Sequence, residues 1–206
     1  MSASLFPDDV LFFQRLLRAE GLYLADLDGD WGPKTEAAAR EFEARSLAIR
    51  QQTRAFDTRS ESNITSLALK AQGQARTLLG RILDGGVNAR IISGSRTYAQ
   101  QDLLFRKGRF GNPGPRVTNA RGGHSNHNFG IAWDIGVFTA GGGFVTSEAP
   151  YERAAALALA DGTLAIEWGG NWTGFVDRPH YQLAIDMTIA ELRTGFEDGA
   201  LGTAFA

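Results

Sequence analysis

The chain has 206 residues, 43% hydrophobic and 21% charged, which fits a globular protein able to bury a sizeable core. A net charge of −2 and a pI of about 5.9 give no global electrostatic support for a nucleic-acid partner. The absence of cysteine excludes disulfides and thiolate metal sites, and no apolar run approaches the roughly eighteen residues of a membrane span.

In chain order, MSASLFPDDVLFF lacks a basic start followed by a long apolar core, so no signal peptide is expected. Any target outside the cytoplasm would be reached by another route. Val10, Phe13, Leu16 and Leu17 repeat with helical spacing, and Gly21 closes that helix. Gly29 and Gly32 mark a turn, and Pro33 suits the first position of a second helix running through Phe42. The DLDGD segment at 26–30 does not fit a calcium loop: glycine is not sixth, and the twelfth position is Ala37.

Residues 46–62 are polar with scattered apolar side chains and read as a linker. A helix is expected over 64–86, a strand over 88–96, a short helix over 97–108 and a Gly-, Pro- and Arg-rich loop over 109–124. A buried strand follows at 131–138, a helix at 150–164, a strand at 178–185 and a last helix at 188–199. Pro179 cannot donate to a ladder, which puts His180 at a strand start or edge. Helices and short strands mix without regular βαβ alternation, which predicts an α+β fold.

Charge is uneven. Residues 1–45 hold nine acidic and five basic side chains, whereas Arg90, Arg96, Arg106, Lys107, Arg109, Arg116 and Arg121 face only Asp102 within 90–121. This stretch is either a solvated loop face or a rim that attracts an anionic ligand.

The chain has three histidines, and two of them lie in GGHSNHNFGIAWDIG at 122–136. Asp134 falls inside an apolar strand, where an ionised carboxylate is costly unless paired or bound to metal. The third histidine, His180, follows Asp177 in EWGGNWTGFVDRPHYQ. His127, Asp134 and His180 make two imidazoles and a carboxylate, a set suited to catalytic Zn²⁺ with an open position for water. Asp177 is then a neighbouring carboxylate placed to move a proton.

SNHNFGIAWD matches SxHxxGxAxD, and DRPH matches carboxylate-x-x-His. On these motifs the chain resembles the M15 zinc peptidases, whose fold is of the DD-carboxypeptidase/hedgehog-like type. With WGGNW before the second motif, it is similar to their L-alanyl-D-glutamate endopeptidase branch, found among phage endolysins and related bacterial enzymes. SGSRTYAQQ at 93–101 resembles the segment carrying that family's substrate-binding arginine, and the likeness spans about residues 55–190. The resemblance implies His127, Asp134 and His180 as zinc ligands and Asp177 as general base and acid. It implies Arg96 as the group that steadies the polarised carbonyl oxygen, with Ser125 and Gln101 as further substrate-binding positions. Trp168 and Trp172 line either the cleft or the core. His124 lies outside the signature, and Glu167 is the alternative to Asp177 as base.

Residues 5–45, with DGDWGPKTEAA at their turn, resemble small peptidoglycan-binding modules. The expected organisation is therefore a helical module at 1–45, a linker at 46–62 and a peptidase domain at 63–206. The expected activity is zinc-dependent cleavage of the peptidoglycan stem peptide, at the L-alanyl-D-glutamate bond, by a monomer. It would reach the wall by holin-dependent release or a dedicated secretion device. A D,D- or L,D-carboxypeptidase, a non-catalytic wall-binding protein and an iron oxygenase are the alternatives; the six residues between His127 and Asp134 speak against the last.

Overall fold

In the computed structural model, residues 7–201 are described; the first six positions of the expected 1–45 module and positions 202–206 of the expected 63–206 domain lie outside them. The chain order is α1 (Pro7–Ala19), α2 (Pro33–Gln51), α3 (Thr58–Thr65), α4 (Leu69–Asp84), β1 (Ala89–Ser93), α5 (Tyr98–Arg106), β2 (Ala132–Val137), α6 (Glu148–Leu159), β3 (Ile166–Trp168), β4 (His180–Leu183) and α7 (Ile189–Glu197). Short 3₁₀ turns occupy Asn126–Phe129 and Gly169–Asn171. The fold is α+β, and it forms two compact units.

One unit gathers the described parts of Met1–Arg45 and Asp186–Ala206 with Arg96–Gly130. Pro7 opens α1, and Asp8 and Asp9 fill its first turn, where the helix dipole favours anions. Leu16 and Leu17 are buried, while Phe13 stacks on Trp31 at 6.0 Å and meets Phe42 edge-on at 5.9 Å. Gln14 is a buried hub that hydrophobic spacing does not reveal. Its Nε2 donates to Asp28 Oδ1 at 2.8 Å and to the Asp30 carbonyl at 3.0 Å, and its Oε1 accepts from Gly29 N–H at 2.9 Å. The turn between α1 and α2 is thus held by one side chain. Phe196 of α7 packs on Phe12 at 5.9 Å and on Phe129 at 5.5 Å.

The other unit comprises Ser46–Ser95 and Ile131–Ile185. Its sheet is antiparallel throughout, in the order β1-β2-β4-β3. Trp133 pairs with Tyr181 and Asp134 with His180 across β2 and β4. Successive side chains alternate between faces, so the buried Trp133 and Tyr181 rings stack at 6.5 Å on one face. Asp134 and His180 stand together on the other. Helices α4 and α6 pack together, and each buries small residues, among them Ala71 and Ala75 on α4 and Ala154 and Ala158 on α6.

Two expectations change. Helix α2 continues past Phe42 to Gln51, and α3 covers much of the rest of 46–62, so the expected linker is largely helical. The polar composition misleads because several polar groups point inward and are satisfied there. Ser46 Oγ donates to Gln72 Oε1 at 2.7 Å, and Asp57 caps α3 through the Arg59 and Ser60 N–H groups. Arg76 of α4 is buried and forms a two-pronged pair with Glu61 of α3, at 2.5 and 3.2 Å. Strand β3, three residues long, was too short for its pattern to show. Pro179 precedes β4, so His180 sits at a strand start as expected, although β4 is interior to the sheet.

Burial pushes the Glu61 carboxyl up, but the Arg76 hydrogen bond, the Phe56 N–H and the Arg76 and Arg50 charges hold it below its ordinary 4.5. A depressed carboxylate stabilises the fold above its unfolded pKa and loses that contribution as pH falls through its folded value. Arg76→Ala should destabilise the protein by about 3–5 kcal/mol, because it leaves a buried charge unpaired. Denaturant titrations at neutral pH check the magnitude. The same titrations repeated below about pH 4.5 should show the wild type losing more stability with acid than Glu61→Gln does.

Candidate metal centre

The register between β2 and β4 sets Asp134 beside His180, and their side chains meet, His180 Nδ1 to Asp134 Oδ1, at 3.2 Å. Burial lowers the His180 pKa, but the hydrogen bond and charge of Asp134, with Gln182 and the Asp177 charge, outweigh it and leave the imidazole above its ordinary 6.5. Trp172 lies over the His180 ring at 5.0 Å and is half-buried. The approach of the preceding loop requires glycine: a Cβ at Gly169 would fall 2.5 Å from the Asp177 carbonyl oxygen and 3.2 Å from His180 Cβ. The Gly169 carbonyl in turn accepts from Asp177 N–H at 3.0 Å, and the Asp177 carbonyl accepts from His180 N–H at 3.2 Å. Asp177 is therefore fixed by backbone hydrogen bonds one turn ahead of His180.

His127 is positioned by other means. It sits on the 3₁₀ turn Asn126–Phe129, which ends at Gly130 with φ +75°, a left-handed conformation that favours glycine. The His127 carbonyl accepts from Arg96 N–H at 2.9 Å. Buried Asn128 donates to the Arg96 carbonyl at 2.9 Å and accepts from Gly123 N–H at 3.0 Å. Phe129 is buried against Phe196.

His127, Asp134 and His180 each offer a ligand atom, and these atoms all lie within 4.8 Å of one another. Two imidazoles and a carboxylate, with both histidines buried, form a donor set that fits a divalent cation with room for a further ligand. The three side chains singled out in the sequence thus converge.

The other expected positions separate into distinct roles. Arg96 follows β1, and its Nη1 donates to Gln101 Oε1 at 3.2 Å. Gln101, expected to touch substrate, is buried; its Nε2 donates to the Ala120 carbonyl at 3.0 Å and to Thr118 Oγ1 at 3.3 Å. It braces Arg96 against the 118–120 loop. Ser125 is half-buried at the start of the His127 turn and accepts from Asn128 N–H at 2.8 Å through its carbonyl. His124 is exposed and meets Arg193 Nη1 through Nε2 at 2.8 Å, outside the triad. Within the basic loop, Arg109 is structural. It donates to the Phe105 and Thr118 carbonyls and to Asn119 Oδ1, and with Arg121 it covers the Phe105 ring. Asn128 was missed by sequence reasoning, although its place inside the signature was visible.

Residues 118–183 match the Peptidase_M15_4 family model, described as D-alanyl-D-alanine carboxypeptidase. The chain is 33% identical over 105 residues to the peptidoglycan L-alanyl-D-glutamate endopeptidase CwlK of Bacillus subtilis (strain 168), covering 48% of this chain and 62% of that protein. It is 30% identical over 129 residues to the L-alanyl-D-glutamate peptidase of Listeria phage A118, covering 62% of this chain and 41% of that one. The match thus spans less than two thirds of each curated relative. The crystal structure of the Serratia marcescens L-Ala D-Glu endopeptidase ChiX aligns with a TM-score of 0.49 at 26% identity, over 65% of this chain and 92% of that chain.

Asn128→Ala should destabilise the protein by about 1–3 kcal/mol, the cost of leaving the Gly123 N–H and the Arg96 carbonyl without a side-chain partner. Urea denaturation against the wild type measures it.

Proposed function

We propose that this chain, which matches the Peptidase_M15_4 family model across residues 118–183, hydrolyses the stem peptide of bacterial peptidoglycan at the L-alanyl-D-glutamate bond, with zinc held by His127, Asp134 and His180. The convergence of those three side chains within 4.8 Å carries the reading. The activities for which the Bacillus and phage relatives are named support the choice of bond. Zinc at such a ligand set supplies Lewis acidity, polarising a carbonyl and bringing the pKa of water to about 7.

The chain's own residues supply the rest. Asp177 takes a proton from the attacking water and returns one to the leaving amine. Its backbone hydrogen bonds to Gly169 and His180 hold it in place for both transfers. Arg96 stabilises the negative charge that develops on the carbonyl oxygen, steadied by Gln101. Trp172 and Ser125 border the substrate. Glu167 is not needed as a base, since it is exposed and engaged with Gln182.

Residues 1–45 act as a wall-binding segment, and the protein works as a monomer that reaches the wall by holin- or secretion-dependent release. No helix among the described residues is long and apolar enough to cross a membrane. A carboxypeptidase acting on the same stem peptide is the second reading, favoured by the family model's description.

Zinc-loaded protein should free stem peptides cut after L-alanine from purified sacculi, read by mass spectrometry, and a chelated sample should free none. Release of single D-alanine would establish the carboxypeptidase instead, and unchanged sacculi would leave a wall-binding protein. Asp177→Ala should keep about one zinc per chain by elemental analysis while turnover falls at least about 10²-fold.

A further inference from the structure

The triad face of the sheet continues past the ligands. Gln182 lies two residues beyond His180 on β4, on the same face, and it pairs in register with Glu167 of β3. Gln182 Nε2 donates to Glu167 Oε2 at 2.9 Å, and Gln182 Oε1 lies 3.0 Å from His180 Nε2. An ionised carboxylate only accepts hydrogen bonds. Glu167 therefore draws the amide NH₂ toward itself and turns the amide oxygen toward the imidazole. An oxygen facing Nε2 requires Nε2 to carry the proton. In the neutral ring the lone pair then sits on Nδ1, which faces Asp134 Oδ1 at 3.2 Å. In that tautomer a lone pair and a carboxylate oxygen face a common point, where a divalent cation would join them; with Nδ1 protonated, the same contact is the hydrogen bond described above.

We propose that Gln182, oriented by Glu167, is the positioning residue that fixes the tautomer of His180 and commits Nδ1 to the metal. The proposal rests on the metal-centre reading above. It gives Glu167 a role distinct from proton transfer: the carboxylate acts through an amide and a ring, and reaches no reacting atom. Metal-bound imidazoles are commonly held this way through their second nitrogen, and removing such a partner weakens metal binding by about 10–100-fold.

With three histidines in the chain, a long-range ¹H–¹⁵N spectrum contains three imidazoles and reports the tautomer of each. In the full-length wild type without added metal, at a pH above the titration of His180, the neutral ring should show the Nε2–H pattern. Gln182→Leu should give mixed tautomers and bind Zn²⁺ about 10–100-fold more weakly in competition with a chromophoric chelator. Exchanging the two groups, Glu167→Gln with Gln182→Glu, keeps an acceptor facing Nε2 and should restore both the tautomer and the affinity. An Nδ1–H pattern in the wild type, or a Gln182→Leu affinity within about two-fold of it, would overturn the proposal. An Nε2–H pattern in a wild type that binds no Zn²⁺ would uphold the role of Gln182 and sink the peptidase reading instead.

Discussion

The juxtaposition of Asp134 and His180 across two antiparallel strands is the constraint on which the site depends. A carboxylate at the middle of an interior strand is tolerable only beside a positive charge or a strong donor. The register between β2 and β4 sets the imidazole there without any loop having to reach in. A slip of β4 by one residue would turn His180 to the opposite face and leave Asp134 behind. The stacked and buried Trp133 and Tyr181 rings oppose such a slip, since it would carry Tyr181 off the aromatic face and put His180 there instead. The aromatic core of the sheet therefore also sets the geometry of the ligands.

His127 comes from a turn, and its precision has another source. Backbone and side-chain hydrogen bonds join Arg96, Asn128 and Gly123, and Phe129 anchors the turn by burial. Arg96 belongs to this same lattice through Gln101. The groups assigned to charge stabilisation and to ligation are thus braced by one set of contacts, which limits how far either can drift independently. Asp177 shows the same economy on the other segment, where Gly169 lets its loop lie against β4.

The strand that carries Asp134 was legible because its apolar run is interrupted by a single carboxylate, and the spacing within SNHNFGIAWD and DRPH pointed to the candidate ligands. The helices were legible as to existence, less so as to extent. The stretch at 46–62 failed because composition cannot distinguish a solvated polar residue from one buried with a partner, and Ser46, Ser60 and Glu61 are of the second kind. Gln14 and Gln182 escaped for the same reason, and the bracing role of Gln101, named only as a substrate contact, escaped with them. Each amide gains its meaning from a partner distant in sequence, and a single chain read in order does not disclose such pairs. For the basic loop, charge alone leaves a solvated face and a ligand-attracting rim equally open, and Arg109 and Arg121 are partly engaged in holding the loop's own shape.

The order of the strands in the chain has a consequence for biosynthesis. The last candidate ligand resides on β4 (His180–Leu183), which cannot join the sheet until that segment has left the ribosome, well after β1 and β2. A nascent or prematurely terminated product ending before residue 180 would possess the arginine turn, the first imidazole and the carboxylate, yet lack the means to close the ligand set. The proposed ligand set would thus close only once the segment bearing β4 has emerged, later than the arginine turn and the first two candidate ligands.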